Sequence, residues 1–178
     1  MSYSNERILI DNYFFNCHES FTDVCYSLKE HLNTTNLCWT KRFGIQLCAL
    51  PRAFFSQYEK LDKFFTHFDV KRQSIFKFYP NTCYGWHVDN HGRTSALNML
   101  IEGPDCHTFF GLPAVVKQND DYEHISEVKY ETGKFALLNV CYPHTVINLN
   151  NNRYVLTISL DSQHKFEDIK KYLIDNNF

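Results

Sequence analysis

Three side chains between residues 87 and 144 have the types and spacing to hold a metal ion. His87-Val88-Asp89 carries an imidazole and a carboxylate two residues apart, and Pro80 and Gly85 just before them argue against a helix. On a strand, residues i and i+2 point to the same side, so the two groups offer adjacent ligands. His144, in Tyr142-Pro143-His144, is the third. Two imidazoles and one carboxylate occupy one face of an octahedron and leave three positions open, a geometry suited to Fe(II) that handles a co-substrate and dioxygen. A lone His-x-Asp is a weak signal in a chain with nine histidines, where a surface strand end is the plain alternative. Arg153 adds weight. It heads Arg-Tyr-Val-Leu-Thr-Ile-Ser-Leu, an otherwise nearly uncharged strand, and a guanidinium buried there needs an anion. Thr157, four residues on, shares its face and can donate a second hydrogen bond. Asn150-Asn151-Asn152 suits a turn, which predicts that His144 and Arg153 sit on adjacent strands of a hairpin. A five-carbon dicarboxylate fits such a site, with one end on the metal and the distal carboxylate on Arg153 and Thr157.

The elements that must position these residues read as follows. Arg7 to Phe15 reads as an opening strand, and Phe21, Val24, Cys25, Leu28 and Leu32 then recur at the period of a core-facing helix. Pro51 suits the first turn of a second helix whose apolar stripe is Phe54, Tyr58, Leu61, Phe65 and Phe68. From Lys71 the pattern shifts to about eight short strands, 73–79, 84–89, 95–102, 107–110, 124–130, 134–141, 144–148 and 153–161, which predict a sandwich or jelly roll. Phe166, Ile169 and Leu173 mark a closing amphipathic helix. The layout is one domain over residues 1–178, mainly β with flanking helices: helical support over about 1–70, the β core over 71–161 and a C-terminal helix over 164–176.

The composition bounds the function. Eighteen Lys+Arg against twenty Asp+Glu give a net charge of -2, too little positive field for generic nucleic-acid binding. No apolar run approaches the roughly 20 residues that cross a bilayer, and the start shows no secretory pattern. Seven cysteines without close pairing fit reduced thiols, so a cytoplasmic location is expected.

His87-Val88-Asp89, His144 and Arg153 resemble the HxD...H...R pattern of the iron(II)/2-oxoglutarate-dependent dioxygenases. The likeness is to the prolyl 4-hydroxylase-like branch, through Phe78-Tyr79-Pro80, Tyr84-Gly85-Trp86-His87-Val88-Asp89-Asn90 and Arg153-Tyr154-Val155-Leu156-Thr157, and it covers residues 75–161. The resemblance implies a double-stranded β-helix (jelly roll, cupin-like) core. It also implies Fe(II) on His87, Asp89 and His144, 2-oxoglutarate as co-substrate on Arg153 with Thr157 and Tyr79, and ascorbate as a reductant. The implied reaction is hydroxylation by dioxygen, with a peptide or protein side chain as first substrate class and a free amino acid or other small molecule as second. A nucleobase demethylase ranks third, because Ser159 stands where that branch has a second Arg. A non-catalytic jelly-roll module that keeps the ligands is the alternative of a different class.

Other residues are weighed against packing roles. Tyr84, Trp86, Leu100, Phe109 and Phe110 are candidate cavity walls, and Asn98 and Asn139 are buried amides that require partners. His91 reads as a surface residue, His107 as a satisfied strand histidine, and Cys83 and Cys141 as small hydrophobes. Residues 117–131 read as a polar loop beside the site.

Overall fold

The computed structural model describes residues 12–178 except 43, 90, 91, 104 and 114–121. In chain order the elements are β1 (Phe14–Ser20), α1 (Thr22–Thr34), β2 (Thr40–Arg42), β3 (Ile45–Ala49) and, after a 3-10 turn over Arg52–Phe54, α2 (Glu59–His67). Then follow β4 (Arg72–Phe78), β5 (Thr82–His87), β6 (Arg93–Glu102), β7 (Cys106–Pro113), β8 (Tyr122–Glu127), β9 (Lys134–Asn139), β10 (His144–Asn148), β11 (Arg153–Asp161) and α3 (Phe166–Asp175). No helix among the described residues is long and apolar enough to cross a membrane.

The strands form two antiparallel sheets, seven-stranded in the order β1-β9-β6-β11-β4-β3-β2 and four-stranded in the order β5-β10-β7-β8. The fold is a jelly roll. The strand period of two sorts the side chains of the large sheet onto its two faces. On β9, Phe135 and Leu137 join the core beneath the helices, whereas Ala136 and Leu138 join the core between the sheets. Likewise Leu97, Met99, Ile101, Leu156, Ile158 and Leu160 face the helices. The opposite parity of β11, Arg153, Val155, Thr157 and Ser159, therefore faces the interior of the sandwich, where all four line a cavity.

On the helical side Val24, Cys25 and Leu28 of α1, Leu61, Phe64 and Phe65 of α2, and Ile169 and Leu173 of α3 cover the sheet. Phe178 closes this layer, stacking near Phe21 and Phe64 while its carbonyl accepts from the His18 N–H at 2.9 Å.

Several boundaries differ from the sequence expectation. The opening strand is β1 at Phe14–Ser20, and residues 7–11 of the expected strand lie outside the described residues. The stretch from Pro51 to Phe68 is not one helix: Phe55 and Tyr58 donate to Arg52 and Phe55, i to i−3 bonds of a tight turn, and the helix starts only at Glu59. The β2–β3 hairpin was not anticipated. It turns at Gly44, whose φ of 80° suits glycine, and extends the large sheet beyond β4. The strand expected over 124–130 is β8 at Tyr122–Glu127, within the stretch also read as a polar loop over 117–131. Finally, β10 and β11 are not a paired hairpin. The chain crosses from the small sheet to the large one at residues 149–152, so His144 and Arg153 lie on opposite sheets and both line the cavity between them. Asn148 holds that crossing by donating its amide to the carbonyls of Phe78, Tyr79 and Asn151 at 3.3, 2.7 and 2.6 Å.

Candidate metal and co-substrate site

The cavity between the sheets has a volume of about 510 Å³, and His87, Asp89, His144, Arg153 and Thr157 all line it. One end is a cluster of metal-ligand type. His144 on β10 is the cross-strand partner of His87 at the end of β5, and their ring centroids lie 4.1 Å apart. Asp89 follows just past the strand end, fixed by its N–H donating to the Val140 carbonyl at 3.0 Å. One ligand atom from each of the three lies within 4.8 Å of the others, a spacing that small side-chain adjustments close around one ion.

The tautomers are set by the backbone. His87 Nδ1–H donates to the Gly85 carbonyl at 2.7 Å and His144 Nδ1–H to the Tyr142 carbonyl at 3.0 Å, which leaves both Nε2 atoms as acceptors for a metal. Burial, and then the neighbouring His87, push the His144 imidazole down to about 4, so it is neutral at physiological pH and keeps its lone pair. Arg93, at the start of β6, donates NH2 to Asp89 Oδ2 and NH1 to Ser159 Oγ, the latter at 3.3 Å. With Oδ2 engaged, Oδ1 is the oxygen turned toward the imidazoles, 3.9 Å from His87 Nε2.

At the other end Arg153 is 1% exposed. Among the described residues its NH1 and NH2 both reach only the Thr108 hydroxyl, at 3.3 Å, and its Nε has no partner. Its guanidinium lies over the rings of Phe78 and Tyr130, 5.4 and 5.0 Å from their centroids. No carboxylate among the described residues pairs with it. Thr157 Oγ1 and Asn98 Oδ1, on cross-strand partners of β11 and β6, are also buried without hydrogen bonds and line the same cavity. Unmet buried polar atoms converging on one cavity are what a bound polar ligand satisfies. A dicarboxylate fits the chemistry of these groups: Arg153 and Thr157 would receive one carboxylate, and a metal on the triad would have positions open for the other end.

Tyr79 is not brought there. It continues the parity of Lys77, whose ammonium lies 4.8 Å from its ring, and its hydroxyl donates to Gln46 Oε1 at 2.7 Å. Gln46 is the cross-strand partner of Lys77, whereas the β3 residues that line the cavity are of the other parity, Ile45, Leu47 and Ala49. Of the candidate walls Tyr84 lines the cavity, its ring edge against His87 at 4.3 Å between centroids, and Phe110 stacks behind His144 at 5.3 Å. A register shift between β5 and β10 turns both Tyr84 and His87 inward although they are three residues apart. His107 is the satisfied strand histidine expected, paired with Glu127 at 2.6 Å, and Asn139 donates to the Asn12 carbonyl at 3.1 Å. His91 lies outside the described residues. Arg93, Thr108 and Tyr130 were not anticipated. Only their placement by the sheet register reveals them, because nothing in their local sequence distinguishes them from surface or packing residues.

No family model matches the chain, and no curated protein matches it by sequence. Solved structures do match by fold, and among them are 2-oxoglutarate/Fe(II) oxygenases, including prolyl hydroxylases. A Pseudomonas putida prolyl-4-hydroxylase is 14% identical with a TM-score of 0.59, covering 89% of this chain and 97% of its own. A Trichoplax adhaerens prolyl hydroxylase, solved with a hypoxia inducible factor peptide fragment, is 14% identical with a TM-score of 0.61, covering 90% and 91%. HygX from Streptomyces hygroscopicus, solved with nickel and 2-oxoglutarate, is 11% identical with a TM-score of 0.64, covering 90% and 87%.

Proposed function

We propose that this chain is a single-domain Fe(II)- and 2-oxoglutarate-dependent dioxygenase that hydroxylates a C–H bond. The observation that carries the reading is the buried, carboxylate-free Arg153 in the same cavity as an open His-Asp-His face. His87, Asp89 and His144 are the residues to hold iron, and Arg153 with Thr157 the residues to hold the distal carboxylate of 2-oxoglutarate. Tyr79 takes no part, since its hydroxyl is committed to Gln46 on the other face of the sheet. When bound, iron and 2-oxoglutarate supply the oxidation: one atom of dioxygen enters the substrate, the other enters succinate, and carbon dioxide leaves. Ascorbate serves as reductant for iron oxidised in unproductive turnovers.

The protein's own contribution is orientation and exclusion of water. Backbone carbonyls fix both imidazoles, and Arg93 holds Asp89 by one oxygen. The rings of Phe78 and Tyr130 lie against the guanidinium, and its burial keeps bulk water from it, which strengthens its hold on an anion. The substrate is a peptidyl side chain, as in the prolyl hydroxylases it resembles, or a small molecule.

The test is succinate formation from 2-oxoglutarate by protein loaded with Fe(II) in air, set beside calorimetric metal titration. Wild type should bind one metal ion and form succinate, and His87→Ala and Asp89→Ala should lose both. If the wild type forms no succinate and His87→Ala binds metal as well as wild type does, the reading is wrong.

A further inference from the structure

Beside the metal triad the cavity has a polar corner around Arg72 that neither the triad nor Arg153 occupies. Apart from imidazoles, its charged lining is Lys71, Arg72, Arg93 and Arg153 against the single carboxylate of Asp89. Lys71 and Arg93 are paired with Asp69 and Asp89, and Arg72 with Asp161, so in a loaded site an incoming anion reaches Arg72 by exchanging with Asp161.

The geometry of this corner is specific. Arg72 on β4 is the cross-strand partner of Ser159 on β11, and Arg93 on β6 is the partner of Asp161, two residues further along the same strand. Adjacent strands lie about 4.8 Å apart and two residues span about 6.8 Å, so the two arginines start roughly 12 Å from each other across β11, within reach of one ligand. Ser74 shares the cavity face of β4 with Arg72, and both serines line the cavity. Ser159 Oγ accepts from Arg93, which leaves its own O–H to donate. Arg72 is held only by Asp161 at 2.7 Å, a half-exposed surface pair of the kind that contributes little and yields readily to a ligand. Beside this corner, Ala49 of β3, the cross-strand partner of Ser74, and the adjoining Leu50 give the cavity an apolar floor that continues to Leu47 and Phe76. Because Arg93 also touches Asp89, a group held between the two arginines sits next to the metal face.

We propose that the substrate is a small carboxylic acid with an apolar body, its carboxylate received by Arg72 with Ser74 and Ser159, and that the carbon hydroxylated lies within a few bonds of that carboxylate. This rests on the oxygenase reading above. The reaction balances as substrate C–H plus dioxygen plus 2-oxoglutarate giving substrate C–OH, succinate and carbon dioxide.

The experiment pairs short- and medium-chain carboxylic acids, N-acyl amino acids among them, with their primary amides, and adds a proline-containing peptide amidated at its C-terminus. Binding is read as a melting shift of protein loaded with nickel and 2-oxoglutarate, and turnover as succinate formed above the substrate-free level with Fe(II). At least one acid should act while its amide does not. Arg72→Gln should raise the KM for that acid about tenfold or more with kcat within about twofold, and Arg72→Lys should recover part of the loss. Lys171→Gln, on the far exposed helix α3, should change neither constant. Equal response to acids and amides, a KM untouched by Arg72→Gln, or turnover of the amidated peptide alone overturns the carboxylate assignment and leaves the oxygenase standing. Failure of the nickel-loaded protein to bind 2-oxoglutarate, with no succinate from the iron-loaded protein, brings down both.

Discussion

A guanidinium that is 1% exposed and has no carboxylate beside it is a cost to the free protein. Replacing Arg153 with Met, similar in length and apolar, should leave the metal-free protein as stable as wild type or more so by about 1–3 kcal/mol, measured by urea unfolding. The same substitution should abolish the charge-transfer band that forms when 2-oxoglutarate is added anaerobically to the iron-loaded protein, with metal affinity retained. A large destabilisation with an intact band would assign Arg153 to structure. His144 gives a second test, in the metal-free protein. Its folded pKa of about 4 lies below the ordinary 6.5, so between these values the unfolded chain binds more protons and stability falls as pH drops from about 6.5 toward 4. Urea midpoints measured across that window should decline in wild type and decline less in His144→Asn; parallel declines would show that other groups set the slope. Both residues were legible in the sequence because an Arg heading an apolar strand and a His after Tyr-Pro are locally odd. Arg93 and Thr108 were not, since what makes them functional is a partner from a distant strand.

The elements bring these side chains together through connections that local pattern does not encode. The alternation of β11 correctly placed Arg153 and Thr157 on one face, but the Asn-rich turn before it read as a hairpin. A turn's residue types fix its backbone conformation without saying which sheet the next strand joins. Here the crossing is settled by packing: Gly103, after β6, sits against the start of β11, where a Cβ would lie 2.7 Å from the Asn152 carbonyl oxygen and 2.8 Å from Arg153 Cα. Gly103 also has φ near 100°, a conformation that L side chains rarely adopt. Gly103→Ala should therefore cost about 2–4 kcal/mol of stability, and because the backbone it displaces carries Arg153, it should weaken 2-oxoglutarate binding more than metal binding. Chemical denaturation and the anaerobic titration measure the two effects. Loss of stability with unchanged 2-oxoglutarate affinity would separate the turn from the site. Tyr79 failed at this same scale: the motif placed it near the ligands in sequence, but the parity of β4 turns it away with Lys77.

At the scale of the molecule, the two cores are unequal. The helical layer and the large sheet share an extensive cluster built on Leu28, Phe64, Phe65, Leu97, Leu137 and Leu156, whereas the space between the sheets holds a smaller one around Tyr13, Phe110, Leu138 and Val140. The small sheet is thus the less firmly anchored layer, and the cavity takes space that apolar packing fills elsewhere. The candidate ligand groups divide between the layers, with His87 and His144 on the small sheet and Arg153 and Thr157 on the large one. A dicarboxylate that spans from a metal on the first to the arginine on the second ties the sheets together. Its binding should add to stability by mass action, about 2.7 kcal/mol at a hundredfold excess over Kd, which for a chain of this size is a rise in Tm of about 5–10 °C. The rise should require both partners. Nickel alone should give a smaller shift, 2-oxoglutarate alone little, and the two together more than their sum, because the bridge exists only when both ends are held. Succinate, which has no keto group to chelate the metal, should fall well short of 2-oxoglutarate. Scanning calorimetry of the four combinations checks this, and a shift from 2-oxoglutarate that is the same with and without metal would mean that the dicarboxylate does not connect the two sheets.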